Sequence, residues 1–235
     1  MKCYHDDAEF GRISIVLRKG MRNVRFRWKN GRLHASAPVG ITAERFIQAV
    51  DNCREGIRKA PRREVTFYPG QVIPCFNTTL TITGDPSLHT TFAAGIDPAD
   101  KKSLYLHLPS NFDFDAHSDV ISRIITDLLG RVAHRYLIPL AEAEAQRLGL
   151  QPKRFEIGRG MKKLGHCTRS GVIQLSRHLM LMPEPLVRCV VCHELAHLTH
   201  FDHSPAFHTL LNQYLGGQEK QLEQQIENFP WPIQR

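Results

Sequence analysis

Apolar and polar positions follow two different periods along the chain, and the change falls near residue 115. In Val24-Arg25-Phe26-Arg27-Trp28-Lys29 they alternate strictly, the period of a half-buried strand. Asn30-Gly31 follows, a strong hairpin signal, and Leu33 to Ala37 is the expected return strand. One face of that hairpin carries Val24, Phe26 and Trp28; the other carries Arg25, Arg27 and Lys29 and is either solvated or open to phosphates. Thr42 has the chemistry of an N-cap, and the segment to about Lys59 reads as a helix with Phe46, Ile47, Val50 and Ile57 inward. Strand-like runs recur at 64–68, 78–83 and 103–108, separated by Pro69-Gly70 and Gly84-Asp85-Pro86 turns. Pro98 to Ser103 reads as a loop, and no internal repeat is evident.

Beyond Asp115 the period becomes helical. Val120, Ile121, Ile124, Ile125, Leu128 and Leu129 recur at helix spacing, and the pattern continues to Leu148 with Gly149 as its stop. Pro139 is expected to kink or interrupt it. Short strand candidates at 155–157 and 172–175 flank a Gly-containing segment. A further helix starts at about Pro183, and two shorter ones start at Ser204 and about Gln218. The Phe229-Pro230-Trp231-Pro232-Ile233 tail reads as extended and packed back on the body. Together these elements predict an α+β fold. A β-rich amino-terminal subdomain with one helix spans 1–110 and a helical subdomain spans 111–235, the two forming one integrated domain.

Composition narrows the class. The chain has 235 residues, 42% hydrophobic and 23% charged, ordinary for a soluble globular protein. No apolar run is long enough to cross a membrane, and the start lacks the apolar core of a secretion signal, so a cytoplasmic location is expected. A formal charge of +8 permits an anionic partner such as nucleic acid without requiring one. The six scattered cysteines are expected to be thiols. Cys189 and Cys192 form a C-x-x-C that could be a redox pair or half a metal site, but no second pair exists and core packing is the expected role.

Residues 193 to 208 carry the chemistry. His193 and His197, four apart on a helix, project from one face one turn apart and can grip one metal ion. Glu194 is placed to reach water at that metal rather than the metal itself. His203 follows after a turn marked by Ser204-Pro205 and supplies a third ligand from another direction. His200 would lie on the same straight helix face, where successive turns rise by about 5.4 Å and bonds of about 2.0–2.1 Å cannot bridge them. His203 is therefore favoured over His200 and His208. Three protein ligands with an open position describe a catalytic zinc site, one ion per chain. The expected activity is hydrolysis of a peptide bond in a peptide or protein substrate by a metal-activated water, with Glu194 as general base. A non-catalytic zinc-stabilised binding protein is the reading from a different class. His166, Arg177, His178, His200 and Tyr214 have the chemistry of an oxyanion stabiliser.

These residues and their upstream flank resemble the YgjP-like metallopeptidases, relatives of the SprT-like zincins. The resemblance runs through Gly165-His166-Cys167, Val172 to Leu175, Met182-Pro183-Glu184, His193 to Leu198, Asp202-His203-Ser204 and Phe207. It is close from Lys162 to Phe207 and looser before, where the Arg-rich hairpin and Ala37-Pro38 match the family's opening strands. The chain departs from the family's usual Trp-Gly-Ser-Cys at Leu164-Gly165-His166-Cys167, and from its usual residues at Ser176 and His208. The resemblance implies a zincin-like fold and a metal-dependent peptidase. The SprT-like relatives also suggest a nucleic-acid-associated protease as an alternative.

Overall fold

Alternation in the first half of the chain becomes two four-stranded sheets in the computed structural model, which describes residues 2–29, 31–60, 65–114, 116–161 and 163–233. The chain divides into two units, Met1–Thr66 and Phe67–Arg235. The first unit contains β1 (Lys2–Asp7), β2 (Gly11–Arg18), β3 (Arg25–Lys29), β4 (Arg32–Pro38) and α1 (Ala43–Lys59). Its sheet order is β1-β2-β4-β3, with β2 and β4 parallel and the outer pairs antiparallel. Alternation sends Ile13, Ile15, Leu33, Ala35 and Ala37 into a core completed by Phe46, Val50 and Ile57 of α1. A one-residue slip would turn that stripe to water, so burial specifies the register. Thr42 caps α1, its Oγ1 accepting from the Arg45 N–H at 3.4 Å. Ile47, expected inward, is 43% exposed. The buried stripe follows 46, 50, 53 and 57, and position 47 falls on its flank. Asn30 of the expected hairpin turn and Glu64 of the expected strand lie outside the described residues; 65–68 form no strand.

The second unit opens with β5 (Val72–Cys75), β6 (Thr78–Asp85), β7 (Ala93–Ile96) and β8 (Leu104–Pro109), followed by α2 (Ser118–Arg147). The order β5-β6-β8-β7, with β6 and β8 parallel, is the topology of the first sheet over again. Even the strand ends correspond. Arg18 lies beside Pro38 where β2 and β4 finish, and Asp85 lies beside Pro109 where β6 and β8 finish. The fold therefore contains a repeat that sequence reading missed. The copies share buried positions (Leu33, Ala35 and Ala37 against Leu104, Leu106 and Leu108) but few residue identities.

Of the expected kink or interruption, the interruption does not occur: α2 is continuous through Pro139. Leu137, Ile138 and Ala141 are all buried around it, and that burial outweighs the roughly 3 kcal/mol an interior proline costs. Gly149, at φ 68°, ends the helix in the left-handed conformation that glycine tolerates. Next come β9 (Arg154–Gly158), β10 (Gly165–Cys167) and β11 (Val172–Ser176), in the order β10-β11-β9. A 3-10 turn (Arg177–Leu181) leads into α3 (Glu184–Ala196), α4 (Pro205–Tyr214) and α5 (Glu219–Glu227). Glu144 on α2 is buried and accepts from Arg147 and from Arg188 of α3. Trp231 and Ile233 are buried, so the tail packs back. The result is a mixed α+β fold with strands first and helices last. Among the described residues no helix is long and apolar enough to cross a membrane.

Candidate metal centre

α3 ends at Ala196, and His197 keeps helical backbone angles as its cap (φ −65°, ψ −15°). His193 and His197 therefore stay one turn apart on one face, ring centres 4.9 Å apart. The chain then turns, and Ser204 caps α4, its Oγ accepting from the Phe207 N–H at 3.4 Å with Pro205 in the first turn. That cap sets His203, immediately before it, against the other two: His203 Nε2 lies 3.2 Å from His193 Nε2. Each of the three histidines offers a nitrogen within 4.8 Å of the others. Nitrogens bound tetrahedrally at about 2.0–2.1 Å lie roughly 3.3 Å from one another, so small movements let these three close round one ion.

The supporting contacts suit ligation. His197 Nδ1 is 3.0 Å from the His200 carbonyl oxygen. Donation from Nδ1–H leaves the Nε2 lone pair for a metal. His200 thus contributes its carbonyl, and its ring is not part of the cluster. Phe207 is fully buried and touches all three imidazoles, stacked on His197 (4.6 Å) and edge-on to His193 (5.0 Å) and His203 (4.9 Å). Burial first, then the neighbouring histidines, pushes His193 down to about 4. Burial also lowers His197. Both are held in the neutral form that can bind a metal.

Glu194 occupies the buried side of α3, 6% exposed. Burial pushes its carboxyl up to about 7, opposed by the Cys167 N–H and the Lys163 charge. Gly165 packs directly on this carboxyl, and a Cβ there would overlap it. The glycine is required by close approach, not by its backbone angles. A cavity of 740 Å³ opens over these groups. Its walls include Lys163 and Gly165–Cys167 on one side and Glu223, Ile226, Glu227 and Trp231 on another.

Of the five candidate oxyanion residues, His166 lines this cavity. Arg177 pairs with Asp127 at 3.1 Å, and His178 is buried against Ser176. Tyr214 offers its carbonyl to Arg147. Cys189 and Cys192 are buried free thiols pushed up to about 12 by burial, in keeping with core packing. Sequence reading missed the α5 wall; the polar run Glu219 to Glu227 carries no signal beyond ordinary helix spacing. His208, Glu219 and Glu223 also gather ligand-type atoms, and His208 bonds to Glu219 at 2.5 Å, tying α4 to α5.

Comparison with known families reaches the same stretch of chain. The family model for a YgjP-like metallopeptidase domain matches residues 22–228. No curated protein and no solved structure matches the chain.

Proposed function

We propose that this chain, which belongs to the YgjP-like metallopeptidase family, hydrolyses peptide bonds with one zinc ion held by His193, His197 and His203. Glu194 is the general base in this reading. The observation that carries it is the meeting of the His193, His197 and His203 imidazoles with the buried Glu194 carboxyl of α3, all at one cavity. A bound zinc ion supplies Lewis acidity to water and to the scissile carbonyl.

The chain's own groups do the rest. Glu194 takes a proton from the attacking water and returns it to the leaving amine, a task suited to a carboxyl whose pKa is near 7. The Cys167 N–H fixes that carboxyl, and Gly165 leaves it room. His166 on the cavity wall offers an imidazole to the carbonyl oxygen as it gains charge. A zinc-stabilised scaffold would have no use for a buried carboxyl beside its ligands. Hydrolysis of a mixed peptide library by fully metallated wild type and Glu194→Gln separates the two. The variant should retain its metal and lose at least ~10²–10⁴-fold in rate; equal rates would sink the peptidase reading.

A further inference from the structure

The outer face of the first sheet is rich in arginine. Turned away from α1 are Arg12, Ser14, Val16 and Arg18 on β2, Arg25 and Arg27 on β3, and Arg32, His34 and Ser36 on β4. Register places Arg25 beside Ser36 and Ser36 beside Val16. Arg18, Arg22 and Arg25 line one cavity of 480 Å³, together with Gly20, Asn23 and Ser36.

Three guanidinium groups gathered without counter-charge repel one another. Elsewhere in this unit arginines are neutralised: Arg12 by Asp6 at 2.9 Å, Arg54 by Asp7 at 2.9 Å, and Arg58 by Glu9 at 2.5 Å. Among the described residues no carboxylate pairs with Arg18, Arg22 or Arg25. The second sheet is an internal control. Aligning Pro38 with Pro109 sets Arg18 against Asp85, Arg25 against Ala93 and Arg27 against Gly95. The same topology therefore forms without cations at these positions.

We propose that this face binds the phosphodiester backbone of a single-stranded nucleic acid, anchored in the cup of Arg18, Arg22 and Arg25. Guanidinium groups match phosphate oxygens in paired hydrogen bonds. Positive charge continues beyond the cup to Arg27 and Arg32, forming a track longer than one phosphate needs. Tyr4 on β1, beside Ser14 and 61% exposed, carries the Arg12 guanidinium 6.0 Å from its ring centre, and this aromatic–cation pair adds a surface on which a base can stack. The four strands span about 14 Å between the outer pair, more than the roughly 12 Å major groove of a duplex, which favours a single strand. None of these residues belongs to the metal centre.

The test is anisotropy of a labelled oligothymidylate of about 20 nucleotides, longer than the ~4–16-nucleotide sites of single-strand binding folds, with the full chain. Binding should weaken with salt. A double Arg18→Glu, Arg25→Glu variant should lose at least about tenfold in affinity and flatten the salt slope by about 0.7 per lost phosphate contact. Both side chains are exposed, and circular dichroism checks that the fold is kept. A charge-matched Arg123→Glu, Lys220→Glu control should bind within about twofold of wild type, since backbone affinity depends on local phosphate contacts. An oligouridylate arm separates RNA from DNA, which share this backbone. No oligonucleotide binding by wild type, or equal loss in the control, overturns the proposal. Capture of tripolyphosphate or anionic phospholipid vesicles without oligonucleotide affinity does the same.

Discussion

Glu194 is where stability and chemistry pull apart. Burial raises its pKa from 4.5 to about 7 in the fold. A raised folded-state value contributes fully below pH 4.5, and the contribution is lost as pH rises through 7. Glutamine stays neutral throughout and can still accept the Cys167 N–H. Glu194→Gln should therefore stabilise the metal-free protein at pH 8, on the order of 1–3 kcal/mol, and leave it unchanged at pH 4. Thermal melts in chelator at the two pH values check this; a less stable variant at pH 8 would contradict it. His193 has the opposite sign. Its value falls from 6.5 to about 4, so its contribution is present above pH 6.5 and lost as pH falls through 4. At the neighbouring strand, Gly165→Ala should force the Glu194 carboxyl aside. Peptide hydrolysis should drop at least about tenfold, a fraction of the ~10²–10⁴-fold that a general base contributes, while metal content by elemental analysis stays at wild-type level.

Between elements, the buried Glu144 carboxyl ties α2 to α3, accepting from Arg147 on its own helix and from Arg188. Cys192 Sγ lies 3.8 Å away. Breaking a buried ion pair from one side costs about 3–5 kcal/mol. Here both arginines are partly exposed and can turn to water, so Glu144→Ala should cost less, about 1–3 kcal/mol. Urea unfolding of metal-free wild type and variant measures it. An unchanged midpoint would mean that α2 and α3 are held by apolar packing alone.

Across the molecule, metal binding and folding should be linked, because His193 and His197 come from the end of α3 and His203 from the turn that precedes α4. An ion that binds the fold at a thousandfold excess over its Kd stabilises it by about 4.1 kcal/mol. Chelator should therefore lower the thermal midpoint of the purified zinc-loaded protein. His203→Ala should erase the difference between chelated and loaded samples. His200→Ala should preserve it, since His200 serves through its backbone carbonyl. Scanning calorimetry distinguishes the three; a chelator effect intact in His203→Ala would displace His203 from the ligand set.

The local features of this protein were legible in the residues themselves. The spacing of His193, Glu194 and His197, the Ser204-Pro205 cap that brings His203 back, the Thr42 cap and the Gly149 stop each depend on a few neighbouring residues. So does the alternation of β3. What only the tertiary structure decided depends on partners distant in sequence. Gly165 is needed because β10 runs against α3, and Phe207 supports three imidazoles because α4 folds back on that helix. The α5 wall of the cavity and the passage of α2 through Pro139 arise from helix packing, which overrides local propensity. The repeated sheet and its arginine cup depend on strand register. Register fixes which residues become neighbours, and one-dimensional periodicity reports only which face each residue takes.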